Sequence, residues 1–266
     1  MFSFSSAILV LGIAGILNQV ADKITYLFIM PGTEGEVQLG IYGACVKIAM
    51  IMAILLQAFR YAYEPFVFNQ SHDKNQDTTC ATTMKYFVIF TLLAFLVVVF
   101  YMDLFKYLVG RTYWEGLHVV PIVMVAEIFM GIYFNLSFWY KLEDKTYWGA
   151  IMSVIACAIL LAVNIIFVPH YGYVACAWGG VAGYGTAMLL SYFIGQRYHP
   201  INYDVRGILT YFALALGLYG VSKLLSISTP WLRMSANTLL LSLFVVYIIR
   251  HDLPLRQIPG IGKYFR

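Results

Sequence analysis

Apolar residues run in long blocks along this chain, with polar residues and turn formers confined to short intervals between them. A helix needs about 20 mostly apolar residues to cross the ~30 Å hydrocarbon core of a bilayer. Blocks of that kind cover 5–30, 39–61, 82–101, 116–139, 146–168, 172–194, 206–226 and 231–249, which predicts about eight transmembrane helices in an all-α integral membrane protein. Pro31-Gly32 and Gly35 interrupt after the first block, and a polar run from Asn69 to Thr79 follows the second. Lys141 to Lys145 follows the fourth, Pro169-His170-Tyr171-Gly172 reads as a tight turn, and His199-Pro200 closes the sixth. No connection is long enough to fold as a separate soluble domain.

Composition agrees with the pattern. Hydrophobic residues make up 61% of the 266 positions and charged residues only 11%, whereas a soluble surface needs about 25% charged residues. Lipid is therefore the expected solvent. The net charge of +4 gives no reason to expect nucleic acid as a partner. Cys45, Cys80, Cys157 and Cys176 lack the spacing of a metal or redox motif. The N-terminal MFSFSS lacks a basic region and a cleavage site, so it is not read as a signal peptide.

Basic residues divide unevenly between the two sides. Arg60, Lys74, Lys85, Lys141, Lys145, Arg197, Arg206, Arg250, Arg256, Lys263 and Arg266 fall on one, and Lys106, Arg111, Lys223 and Arg233 on the other. Eleven against four predicts that the richer side, with both termini, is cytoplasmic. Tyr61, Tyr63, Tyr113, Trp114, Trp139, Tyr140, Trp148 and Trp231 lie near block ends, where interfacial aromatics belong.

Charge inside a block is costly and normally faces protein or water. Asn18, Gln19, Asp22 and Lys23 share one side of the first block, Lys47 lies in the second, and Glu127 and Asn135 lie in the fourth. Three readings stay open: internal pairing of Lys47 with Glu127 or Asp22, a wet cavity in which Lys47 and Lys23 hold an anion, or a coupling cation carried by Asp22 or Glu127. In the sixth block Ala175, Gly179, Gly183 and Ala187 recur every four residues, a spacing that lets helix backbones approach closely. No glycine-rich phosphate loop, HExxH or nucleophile beside paired carboxylates is present, and the five His stand singly, so neither an enzyme, a resident metal nor a cofactor is expected.

Three strings, Leu39-Gly40-Ile41-Tyr42-Gly43, Lys47-Ile48-Ala49 and Arg60-Tyr61-Ala62-Tyr63-Glu64-Pro65-Phe66, resemble the Wzx-like polysaccharide and O-antigen flippases of the multidrug/oligosaccharidyl-lipid/polysaccharide exporter superfamily. Asn164-Ile165-Ile166 with Val168-Pro169-His170-Tyr171-Gly172, and the Asp22-Lys23 pair, resemble them too. The likeness runs over most of residues 5–195. It implies a transporter that moves undecaprenyl-pyrophosphate-linked oligosaccharide across the bacterial inner membrane for lipopolysaccharide, capsule or exopolysaccharide synthesis. Such proteins have two six-helix lobes about a central cavity, often followed by two more helices. By that resemblance residues 1–195 correspond to a C-terminal lobe, 196–249 to the additional pair and 250–266 to a basic cytoplasmic tail. The chain is then expected to be a C-terminal portion that works with an N-terminal half or a second copy. Lys47, then Lys23, then Arg60 at the cytoplasmic mouth are the expected anion contacts, with Asp22 and Glu127 as their charge partners and Asn18 and Gln19 alongside. The alternatives are a drug or cation antiporter of the same superfamily, a membrane-embedded polysaccharide polymerase or ligase, and a structural subunit without transport activity.

Overall fold

The computed structural model describes residues 21–69, 76–143, 145–225 and 229–252. Among the described residues there are helices and no strand. Seven helices are long and apolar enough to cross a membrane. The eighth expected block, 5–30, lies mostly outside the described residues; its end is helical over 21–29 and is called α1.

The remaining helices are α2 (Thr33–Asn69), α3 (Gln76–Phe100), the one-turn α4 (Met102–Phe105), α5 (Val120–Leu136), the short α6 (Phe138–Leu142), α7 (Tyr147–Tyr171), α8 (Tyr173–Tyr198), α9 (Val205–Leu224) and α10 (Pro230–His251). Successive long helices alternate in direction. Arg60, Lys141, Lys145, Arg197 and Arg206 therefore gather at one end, and Lys106, Arg111, Lys223 and Arg233 at the other.

Helix ends depart from the hydropathy blocks for identifiable reasons. Gly32 takes φ +110°, a conformation that ends α1 and lets the chain turn. Helix α2 then starts at Thr33, six residues before the apolar block, with Glu34 and Glu36 in its first turn where the helix dipole favours acidic side chains. Helix α3 likewise begins at Gln76, inside the polar run, with Asp77 in its first turn. Hydropathy marks the membrane-buried part of a helix, and these helices continue past it.

The fourth block is broken up. Residues Arg111–Val119 form a 3-10 helix, α5 follows with Pro121 in its opening turn, and the turn at Ser137 separates α5 from α6. Before them Lys106 sits over the Trp114 ring at 4.8 Å and bonds Asp103 at 2.9 Å. Trp114 donates from Nε1 to the Lys106 carbonyl at 3.0 Å. Exposed Tyr107, Leu108 and Tyr113 complete a surface suited to a membrane–water boundary.

The largest core cluster joins α1, α2, α3, α5, α8, α9 and α10 through Tyr26, Met52, Phe95, Ile128, Cys176, Ala215 and Phe244, all under 2% exposed. Gly183 packs so closely on α7 that a methyl group there would lie 2.9 Å from the Ala156 carbonyl oxygen. Gly179 leaves comparable room for the Asn164 side chain, so the small-residue spacing serves helix packing.

Candidate functional site

The polar side chains expected to act together fall into three places. The innermost surrounds Asp22. Tyr42 Oη donates to Asp22 Oδ2 at 2.9 Å, and the Lys23 backbone N–H donates to Asp22 Oδ1 at 2.8 Å. One turn further along each helix, Tyr26 Oη donates to Gln38 Oε1 at 2.6 Å. Cys176 Sγ reaches the Asp22 carbonyl at 3.8 Å from α8. Tyr184, about two turns further along α8, lies within electrostatic reach of both Asp22 and Glu127. Residues on α1, α2, α5 and α8 thus converge, because Tyr42 is 3% exposed and carries its hydroxyl to the carboxylate through packed apolar surroundings.

Lys47 lies elsewhere. It is exposed, two residues from the midpoint of the span Thr33–Pro65, because α2 begins earlier than the hydropathy block and shifts the lysine toward mid-membrane. Five residues separate it from Tyr42, about 140° around a helix of 3.6 residues per turn, so the two point away from each other. Glu36, Gly40, Met50, Ile54, Gln57 and Tyr61 lie exposed along the same stripe. A Cβ at Gly40 or Gly43 would meet nothing within 4 Å. Among the described residues no salt bridge reaches Lys47, Lys23 or Glu127. The expected pairing of Lys47 with Asp22 or Glu127 is therefore not formed: Tyr42 turns one face of α2 to Asp22, and Lys47 lies about 140° away on the exposed face.

Arg60 occupies the third place. Its Nε lies 3.5 Å from Glu64 Oε2, its guanidinium stacks 4.7 Å from the Phe134 ring centroid, and Lys141 on α6 bonds the other Glu64 oxygen. Thirteen residues of helix put Arg60 about 20 Å from Lys47 along α2. The structure does not bring those two cations together.

The basic-rich end carries further polar ties. Lys85 bonds Asp204 at 2.9 Å and also Asp252, which accepts from Tyr211. His199 Nε2 lies 2.9 Å from Asp77 Oδ1, and its Nδ1 lies 3.7 Å from Glu143. Reading the sequence alone missed Glu64, Tyr42 and Tyr184. Glu64 is one turn after Arg60, so an i,i+4 rule finds that pair, but Lys141 is 77 positions away. Asn18 and Gln19 lie outside the described residues. No group of three or more His, Cys, Asp or Glu side chains able to hold a metal occurs among the described residues.

No protein-family model, no curated protein and no solved structure matches this chain.

Proposed function

We propose that the chain is a component of a multi-pass transporter that carries an anionic, lipid-linked oligosaccharide across the bacterial inner membrane, as the flippase-like strings imply. The observation that supports this reading is the exposed Lys47 at mid-span, on a stripe of α2 that also holds Gly40, Gly43 and Gln57. A lysine facing lipid at that depth is costly, and intramembrane cations commonly border a watery path. A pyrophosphate head group also needs a cationic counterpart to leave water. Lys47 takes the anion, and the open glycines beside it leave room for a bulky head group or for a facing lobe. Alternating access about a mid-membrane site is the matching mechanism. On this reading the basic-rich end is cytoplasmic and an N-terminal half or a second copy closes the other wall of the cavity.

The test uses a flippase-null bacterium expressing this chain with a matching N-terminal half. Lys47→Ala is expected to abolish surface glycan while the protein remains in the membrane at normal level, and Lys47→Arg to retain export. Unchanged export by Lys47→Ala overturns the role of Lys47.

A second reading, the cation antiporter, is favoured by the buried Asp22–Tyr42 pair with Tyr184 and Glu127 nearby. It places the coupling ion between α1, α2, α5 and α8. Organic-cation efflux in place of glycan export separates the two.

A further inference from the structure

We propose that the cleft closed by the ends of α2, α5 and α6 binds a phosphate-bearing polar head group that carries a hydroxyl or ammonium donor beside the phosphate. The cleft opens to solvent and narrows to a floor of about 10 Å³, room for one water-sized group such as a hydroxyl or ammonium, and Arg60, Tyr63, Glu64, Phe134, Asn135 and Lys141 are among its lining residues. Asn135 is 7% exposed. Its Nδ2 donates to the Gly131 carbonyl at 3.1 Å, and its Oδ1 accepts from no group among the described residues. A buried acceptor left without a donor is unfavourable, and this one borders the cleft, so a ligand hydroxyl or ammonium satisfies it.

The charges specify the rest of the ligand. Arg60 and Lys141 share the single carboxylate of Glu64, which leaves one positive charge in excess. Arg60 Nε is buried without an acceptor of hydrogen-bond geometry. Guanidinium and ammonium together suit a phosphate, the guanidinium offering paired donors. Phe134, under the guanidinium at 4.7 Å, fixes its plane.

Depth points the same way. Arg60 is five residues from the end of the span Thr33–Pro65, and Lys141 ends the span Arg111–Lys141. Both lie where lipid head groups meet a protein, and basic pockets between helix ends are suited to holding them. The same chemistry is offered by the head group of a glycerophospholipid and by a water-soluble glycerol or sugar phosphate. The cleft lies about 20 Å from Lys47 along α2, so the proposal does not depend on what the protein transports.

The experiment takes the full chain in an uncharged maltoside detergent. Native mass spectrometry measures retention of phosphatidylethanolamine, which has phosphate and an ammonium donor, and of phosphatidylcholine, which has the same net charge and no donor. Phosphatidylethanolamine is expected to bind about tenfold more tightly, the discrimination that one buried hydrogen bond supplies. Asn135→Leu is expected to erase that preference and leave phosphate-dependent retention, while Arg60→Gln and Lys141→Gln weaken retention of both lipids. Competition by sn-glycerol 1-phosphate identifies a soluble ligand as the natural source, and lack of competition identifies the lipid. Equal binding of the two lipids by the unaltered chain overturns the proposal. A preference that survives Asn135→Leu, which alters no charge and no salt bridge, overturns it equally.

Discussion

Two helical hairpins in this bundle are held by opposite means. Between α7 and α8, Gly179 and Gly183 lie against Ala156, Leu160 and Asn164 at backbone-contact distance. Half of the α8 span is buried, but only 11% of the α9 span. Helices α9 and α10 instead lean on α3 and are tied there by polar bonds. Asn237 Nδ2 donates to the Phe100 carbonyl at 2.9 Å, and Ser222 Oγ donates to Asn237 Oδ1 at 2.6 Å. Arg233 pairs with Asp103 at this end, and Lys85 with Asp204 and Asp252 at the other. Apolar burial drives little association between helices already in lipid, so close packing and hydrogen bonds must supply it. The first hairpin uses one and the second the other.

The contrast is broken most severely at the seam. Gly183→Leu is expected to destabilise the whole bundle by about 3 kcal/mol, the upper part of the usual overpacking range. The Ala156 backbone cannot yield as a flexible side chain does. A monodisperse peak and an unchanged unfolding temperature would show that the seam is looser than described.

Asn237→Leu comes next, with an expected cost of about 1–2 kcal/mol for a buried carbonyl left unpaired. The loss is local. Cleavage between α9 and α10 by an added protease should accelerate while the α7–α8 hairpin remains intact, and equal acceleration at both hairpins would erase the distinction.

Acid provides the smallest and sharpest comparison. The hydrogen bond from Lys85, then that from the Gly207 N–H, holds Asp204 below its ordinary value of 3.8. Burial pushes Asp103 upward, but the bond from Lys106 and the field of Arg233 outweigh it and leave this carboxyl low as well. Carboxyls with depressed folded values contribute fully above their unfolded values, and that contribution fades as pH falls below about 4. The α9–α10 hairpin should therefore loosen on acidification before the α7–α8 seam, where the touching side chains are uncharged. Asp204 is nearly half exposed, so solvent keeps the effect modest. Lower protection factors in α9 and α10 at pH 3.5 than at pH 6, after correction for the pH dependence of intrinsic exchange and with α8 unchanged, are the expected result.

The helices were largely legible in the sequence because lipid demands long apolar runs, and the Gly172 turn was legible because φ +60° there favours glycine. The glycine seam was legible too, since its spacing is itself the contact. Three features were not. The 3-10 helix Arg111–Val119 was hidden because an interfacial segment mixes aromatic and charged residues without an apolar run. The Glu64–Lys141 pair depends on α2 and α5 running parallel, which no local pattern encodes. The separation of Lys47 from Asp22 follows from which face of α2 packs on α1, the Tyr42 face about 140° from Lys47, and that choice is made by tertiary packing.

The apolar block 39–61 of α2 holds 23 residues, and the span Val205–Leu224 of α9 holds 20. At 1.5 Å per residue these are about 35 Å and about 30 Å. A bilayer around this bundle therefore meets walls of unequal height. Beside α9 it can keep its resting thickness, while beside α2 it must swell, or the helix must lean, each at a fraction of a kcal/mol per Å of mismatch. The protein thus imposes an elastic load on its surroundings that is graded from one flank to the other, and a membrane of different thickness would shift the tilt of α2 while leaving α9 where it stands.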